Sequence, residues 1–209
     1  MLTRSPGTER CGERLSGQIL AGVIPDAFVR ALDGFESVLA GVALGRWDDP
    51  SPCAGWSAAD VAGHVIGNLR ATEAFATGRD DGDRDAHPVA AVGDDPLATW
   101  RAARADLMAV LDARALARTV PSPTGLVPLS GFLKSGAMEF LVHTWDLAQA
   151  TGQAAVLDAG LVRNALGPAR QFAPMARLSG MIGPECSVAE DADDLTRLLA
   201  IFGRRNLRP

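Results

Sequence analysis

The sequence predicts an all-α protein, built as an up-and-down helical bundle, and three observations carry this prediction. Apolar residues recur at three- and four-residue spacing in several long segments, which is the periodicity of an amphipathic helix. No segment shows the strict alternation of a half-buried strand, and the sequence contains no internal repeat. Short or polar connections separate the periodic segments, as is typical of helical bundles.

Two helices are predicted in the first part of the chain. The first covers about 26–44, where apolar side chains recur every three or four residues, and a proline-containing loop follows it. The second covers about 58–76. Ser57 and Asp60 indicate its start, because a serine three residues before an acidic residue can cap a helix, and Gly78 indicates its end.

The sequence predicts two more helices in the middle of the chain. Asp95 and Pro96 begin the third, because proline fits a first turn, where its missing N–H is not needed. The fourth covers about 131–150, with Ser130 as its cap and Gly152 after its end.

The C-terminal part predicts two weaker helices. The first covers 158–175, and we expect an interruption at the Gly-Pro pair 167–168. A short helix over 193–202 follows. We expect one domain over 23–209, preceded by a flexible lead-in over 1–22 that is polar and aperiodic.

Composition and charge argue against several classes of function. The 209 residues are 47% hydrophobic and 22% charged, which is typical of a globular protein. The formal net charge of -5 disfavours a nucleic acid or a membrane surface as the main partner. The apolar runs, such as 19–24, are far shorter than the roughly 18 residues that span a bilayer, and there is no secretory signal pattern, so we expect a cytoplasmic protein.

Glu139 and His143 are candidate metal ligands in the fourth predicted helix. An ionised carboxylate in such an apolar stretch is costly to bury without a partner. Because side chains four positions apart share one helix face, Glu139 and His143 can bind the same ion. His64, in the second predicted helix, would complete a set of three ligands. Three nitrogen and oxygen ligands with an open position are typical of a catalytic metal site, whereas structural zinc sites usually have four ligands.

Other interpretations of this pattern stay open. Glu139 and His143 can instead form a hydrogen bond in the core, with His64 elsewhere on the surface. The metal can be zinc, nickel, iron or manganese, because two histidines and a carboxylate also match the facial triad of non-haem iron oxygenases. Asp146, three residues after His143, can orient a ligand or a bound water, or it can be a carboxylate on the helix surface.

The remaining chemistry-bearing residues favour a structural interpretation. His87 lies in an Asp-rich loop, where a solvated histidine is expected. Trp56 and Trp145 can line a pocket, but tryptophan in a bundle is more often a core residue. Cys53 has no cationic neighbour in the sequence that would lower the pKa of its thiol. The three cysteines are odd in number and widely separated, so no disulfide framework and no CxxC metal site is predicted.

Two signatures carry a resemblance to a known family. The first is Trp47-x-x-Pro50-Ser51-Pro52-Cys53-x-Gly55-Trp56-Ser57, followed by Asp60-Val61-x-x-His64-Val65. The second is Glu139-x-x-x-His143-x-Trp145-Asp146-Leu147-Ala148-x-Ala150-Thr151-Gly152. They resemble the second and fourth helices of the actinobacterial branch of the DinB-like superfamily, which includes the mycothiol-dependent maleylpyruvate isomerases. The similarity covers about 25–203.

The resemblance implies a DinB-like four-helix bundle with additional C-terminal helices. It implies a divalent metal, usually zinc, with His64, Glu139 and His143 as its ligands. It also implies mycothiol as a cosubstrate. The isomerases carry a further C-terminal domain with residues needed for turnover. We expect this chain to stop before one, so maleylpyruvate isomerisation itself is not the expected reaction.

Three functional hypotheses follow. The first is a divalent-metal-dependent enzyme that uses a low-molecular-weight thiol such as mycothiol, as a thiol transferase or isomerase on a small electrophilic substrate. Its reacting group would be a metal-bound water or thiolate. The second is a thiol-independent metal-dependent isomerase, cyclase or hydrolase of a small molecule. The third is a metal-binding bundle that catalyses nothing. We expect a monomer or homodimer whose partners are small molecules.

Overall fold

Helices account for most of the computed structural model, which describes residues 24–79, 91–122 and 125–205. In chain order the elements are α1 Asp26–Ala40, α2 Ala58–Thr77, α3 Pro96–Val110, α4 Ala113–Leu116, β1 Thr119–Ser122, β2 Gly125–Pro128, α5 Leu129–Thr151, α6 Ala159–Leu178 and α7 Asp194–Ile201. The two strands form one antiparallel hairpin, in which Val120 pairs with Val127. The all-α fold class predicted from helical periodicity is therefore confirmed.

Four helices form a closed bundle around an apolar core. Helices α1 and α2 each pack against both α3 and α5, so α1 and α2 lie on opposite sides of the bundle although they follow each other in the chain. Trp100 of α3 is fully buried, and its ring lies 4.8 Å from that of Phe35 on α1 and 6.4 Å from that of Phe140 on α5. Helix α6 packs on α5, and α7 packs on α6.

The start of α2 is fixed by its own sequence. Ser57 is the N-cap: its hydroxyl accepts from the backbone N–H of Asp60 at 3.2 Å, and the Asp60 carboxylate accepts from the backbone N–H of Ser57 at 2.9 Å. This is a complete capping box, with aspartate in the place that glutamate or glutamine usually takes. Gly78 ends the helix in a left-handed conformation with φ of 75°, as predicted.

Helix α5 begins differently from the prediction. Its N-cap is Pro128, and no side chain caps it, so the predicted role of Ser130 is wrong. The β-hairpin positions the first residue of α5 instead, because the N–H of Leu129 donates to the carbonyl of Arg118 at 2.8 Å. The hairpin was not predicted. Each of its strands has four residues and contains a proline, which is too short for an alternating pattern to show.

Two further boundaries differ from the sequence-based expectation. Helix α1 ends at Ala40, four residues early, where Gly41 packs against Gln153 and Gln153 donates to the carbonyl of Val38 at 3.0 Å. Helix α6 is continuous, with Pro168 and Pro174 inside it. Tertiary packing outweighs the cost of the prolines, because one face of α6 is buried against the bundle along its length through Leu161, Val162, Ala165, Ala169, Ala173 and Ala176.

The domain division stays a prediction, since the expected lead-in over 1–22 lies outside the described residues. Over the described ranges, none of the helices combines the length and the hydropathy that crossing a bilayer requires.

Candidate metal centre

The packing of α2 against α5 brings the three predicted ligands together. Glu139 and His143 lie one turn apart on α5, and His64 faces them from α2. Nε2 of His64 lies 2.8 Å from Oε1 of Glu139, and the two imidazole rings have centroids 5.0 Å apart. One ligand atom from each residue falls within 4.8 Å of the other two. The alternative interpretation, in which His64 lies elsewhere on the surface and does not contact Glu139, is therefore wrong.

Exposure within this group increases from one side to the other. The side chain of His143 is 10% exposed, that of His64 is 15% exposed and that of Glu139 is 41% exposed. His143 thus lies at the back of the centre, and Glu139 lies where solvent and small molecules can enter. The centre is therefore most exposed to solvent on the side of Glu139.

Asn68 is a fourth polar group in the centre that the sequence analysis missed. Its Nδ2 lies 2.5 Å from Oε1 of Glu139 and 3.1 Å from Nε2 of His64. Asn68 follows His64 by four residues on α2, just as His143 follows Glu139 on α5. The same spacing argument that singled out Glu139 and His143 could have found it.

Trp56 forms an aromatic wall beside the two histidines. Its ring centroid lies 4.9 Å from that of His64, and it stacks on His143 at 6.1 Å with an interplanar angle of 18°. The loop before α2 holds it there, because the N–H of Trp56 donates to the carbonyl of Cys53 at 3.0 Å. The interpretation of Trp56 as a core residue is therefore incomplete, whereas Trp145 is buried at 5% exposure, as expected for the core.

Asp146 lies behind His143 and is completely buried. Its Oδ2 is 3.0 Å from Nδ1 of His143, and Arg204 donates to both of its oxygens, from Nε at 3.2 Å and from Nη2 at 2.8 Å. Burial favours the protonated form of Asp146, but the hydrogen bonds from His143 and Arg204 and the charge of Arg204 outweigh burial and lower its pKa. The structure thus rejects a surface position for Asp146.

Arg204 also contacts the thiol of Cys53. Its Nη2 donates to Sγ of Cys53 at 3.1 Å, so the expectation that no cation lies beside this thiol is wrong. Burial nevertheless dominates and raises the pKa of the Cys53 thiol, with Asp146 acting in the same direction and Arg204 opposing it. Cys53 is therefore a poorly ionised thiol. His87 lies outside the described residues, so its predicted loop role is untested.

Comparison with known proteins identifies the family of this chain. Residues 28–148 match the family model described as the mycothiol maleylpyruvate isomerase N-terminal domain. Two curated relatives, uncharacterized proteins Rv0738 and MT0763 of Mycobacterium tuberculosis strains, are each 32% identical over 150 residues, covering 69% of this chain and 76% of the relative.

Solved structures support the same fold. A crystal structure of a mutant of mycothiol-dependent maleylpyruvate isomerase matches with a TM-score of 0.51 and 19% identity, and another of the same enzyme matches with a TM-score of 0.49. Each match covers 67% of this chain and 65% of the isomerase, so this chain matches somewhat less than two thirds of that enzyme's length. The family match spans more than half of the chain and includes all three candidate ligands. The chain therefore belongs to the mycothiol maleylpyruvate isomerase N-terminal domain family.

Proposed function

We propose that this protein is a divalent-metal-dependent enzyme that uses a low-molecular-weight thiol, mycothiol, to transfer or isomerise a small electrophilic substrate. The convergence of His64, Glu139 and His143 from two facing helices is the observation that carries this proposal. We further propose zinc as the metal, because the donor set of two imidazoles and one carboxylate with an open position is typical of catalytic zinc.

The residues present fit such an ion. In a tetrahedral site, ligand atoms that each lie about 2.1 Å from one zinc ion are about 3.4 Å apart. The candidate ligand atoms all lie within 4.8 Å of one another, so side-chain shifts of at most about 1.4 Å bring them to that spacing. Nε2 of His64 also lies within hydrogen-bond distance of both Glu139 and Asn68, although one nitrogen cannot donate to the first and accept from the second. A cation resolves this conflict, because it accepts electron pairs from both Nε2 and the carboxylate.

The surrounding side chains orient the ligands and shape the open face. Asp146 accepts from Nδ1 of His143, which leaves Nε2 of His143 as the electron-pair donor. Trp56 covers the histidine rings and excludes water from that side. Glu139 lies at the accessible side, where a thiol and a substrate would approach. A divalent ion held there supplies Lewis acidity, which lowers the pKa of a thiol in contact with it and polarises a carbonyl group.

The thiol is proposed from the family. The name of the family includes mycothiol, and the crystallised enzyme with the matching fold is mycothiol-dependent. Cys53 does not replace an external thiol, because burial raises its pKa and it is a poor nucleophile at neutral pH. The substrate is proposed only as a class, a small electrophile, since the matched enzyme is longer than the region shared with this chain.

The test measures metal content and thiol consumption on the same preparation. The purified protein is analysed for bound metals and then incubated with mycothiol and a panel of small electrophiles, with and without a chelator. We expect about one zinc per chain and thiol consumption that the chelator abolishes. The variants His143→Ala and Glu139→Gln should lose both properties, and His87→Ala, which changes the remaining histidine, should keep both.

Three outcomes would overturn the proposal in different ways. A rate that the chelator does not change would exclude a metal-dependent reaction. Activity that needs the metal but no thiol would favour an isomerase, cyclase or hydrolase of a small molecule. A tightly bound metal with no reaction on any electrophile would favour a metal-binding bundle without catalysis.

A further inference from the structure

His143 is oriented by a hydrogen bond that leaves no choice of ring nitrogen. An ionised carboxylate only accepts hydrogen bonds, so the contact of 3.0 Å between Asp146 and Nδ1 of His143 places the proton on Nδ1. In the neutral imidazole, the form that binds a metal ion, Nε2 is then the nitrogen that carries the lone pair. The orientation of the His143 ring therefore depends on where the carboxylate of Asp146 is held.

Arg204 holds that carboxylate at two points. Its Nε donates to Oδ1 and its Nη2 donates to Oδ2, which fixes the plane of the carboxylate as well as its distance. The guanidinium is itself fixed, because Nη1 donates to the carbonyl of Phe202 at 2.8 Å and Nη2 reaches Sγ of Cys53 at 3.1 Å. Every nitrogen of the guanidinium thus has a partner.

The ion pair is buried, so water does not replace these contacts. Asp146 has no exposed surface and Arg204 is 8% exposed. A buried ion pair is weak evidence for stability, because the cost of removing two charges from water offsets much of their attraction. An ion pair placed directly behind a candidate metal ligand is better explained by the geometry that it imposes on His143.

The position of Arg204 depends on how α7 ends. Gly203 has φ of 77°, and the N–H of Arg204 donates to the carbonyl of Leu199 at 2.9 Å, which turns the chain back toward the bundle. Helix α7 packs on α6, and the side chain of Arg204 connects the segment after α7 to Asp146 of α5. Through Cys53 the same guanidinium contacts the loop that carries Trp56.

We propose that Arg204 is a positioning residue for the metal centre: it fixes Asp146, which fixes His143, and it thereby makes metal affinity depend on the docking of the segment after α7. This inference rests on the proposed function, because it requires that His64, Glu139 and His143 bind a divalent ion. It assigns no contact between Arg204 and the ion or the substrate.

The experiment measures the dissociation constant for Co²⁺ by its visible absorption bands and for Zn²⁺ by competition with a chelator. The variants are Arg204→Gln, Arg204→Lys and Asp146→Asn, together with the double variant of Arg204→Gln and Asp146→Asn. Arg205→Gln is the matched control, since Arg205 is the adjacent residue and is exposed. Each variant is first tested for folding by circular dichroism, and affinities are measured at a temperature where it is folded.

We expect Asp146→Asn to weaken Co²⁺ and Zn²⁺ binding by about 10- to 100-fold, which is typical when the hydrogen-bond partner of a metal-binding histidine is changed. Arg204→Gln, one contact further from the ion, should weaken binding of both ions by a smaller factor. The Co²⁺ absorption bands should shift, because the geometry at His143 changes. Arg204→Lys should retain part of the affinity, since it keeps the charge and loses the two-point contact. The double variant should match Asp146→Asn alone within about twofold, because Arg204 acts through Asp146.

Failure of this inference and failure of the proposed function give different results. If the wild-type protein binds neither ion, the proposed function fails and this inference fails with it. If the wild-type protein binds the ions and Arg204→Gln binds them equally well, with a lower melting temperature as its only defect, Arg204 is a structural residue. Independent, multiplying effects of the two substitutions would likewise exclude an action of Arg204 through Asp146.

Discussion

Replacing Asp146 with leucine tests the energetic cost of the buried charge pair. Leucine has a similar branched shape, although it is larger, and it accepts no hydrogen bond, so Arg204 keeps its charge in a buried position without its carboxylate partner. Nδ1 of His143 also loses its acceptor. Both consequences follow from one substitution at a side chain with no exposed surface.

The expected magnitude follows from this burial. Removing one partner of a buried ion pair typically lowers the free energy of unfolding by about 3–5 kcal/mol, because the other charge is left uncompensated. For a chain of this size that loss corresponds to a decrease of about 6–20 °C in melting temperature. Exposed pairs contribute far less, so Asp33→Leu, which breaks the more exposed contact with Arg104, should cost less than about 1 kcal/mol.

The assay is urea denaturation followed by circular dichroism, with a chelator present so that bound metal does not contribute. The double variant of Asp146→Leu and Arg204→Met removes both charges and should be more stable than Asp146→Leu alone. A loss below about 1 kcal/mol for Asp146→Leu would refute the reasoning, since it would mean that Arg204 finds water or another partner. A double variant that is less stable than Asp146→Leu would refute it as well.

Three further predictions concern other parts of the structure. Ser57→Ala should lower the free energy of unfolding by about 1 kcal/mol in urea denaturation, because it removes one half of the capping box of α2. Arg101 lowers the pKa of Glu36, with burial opposing it and Trp100 and Arg104 assisting. The stabilisation from ionised Glu36 is therefore present above its unfolded-state pKa and is lost as the pH falls through its folded-state pKa, so the melting temperatures of wild type and Glu36→Gln should converge under acidic conditions. Cu²⁺ should quench the fluorescence of Trp56, which lies 4.9 Å from His64, and a titration of Trp56→Phe should lack that component.

Helix starts and ends that depend on local chemistry were predictable from the sequence. Ser57 with Asp60, and Gly78 after Thr77, act through contacts within a few residues, so the predicted bounds of α2 nearly match the structure. The continuous α6 was not predictable, because its prolines are tolerated only through packing against the bundle. The start of α5 was mispredicted for a related reason, since a hairpin and not a serine cap positions it.

The candidate centre shows the same division between local and distant information. Glu139 and His143 were recognisable from their four-residue spacing, and Asn68 follows His64 with that same spacing. Arg204 carried no such signal, because it lies 58 positions from Asp146 and reaches it only after the chain turns at the end of α7. That His64 meets Glu139, 75 positions away, depends on the packing of α2 on α5, which spacing alone does not reveal.

The distribution of the ligands over two helices has a consequence for local opening of the protein. An ion bound by His64 of α2 and by Glu139 and His143 of α5 cross-links the two helices. Without the ion, only contacts between side chains hold α2 and α5 together. Because the ion binds only when both helices are in place, saturating Zn²⁺ should slow amide hydrogen exchange in α2 and α5 together. Amide exchange in the C-terminal half of α6, which contributes none of the three ligands, should change much less. The amides that Zn²⁺ protects would then identify the two helices that the ion links.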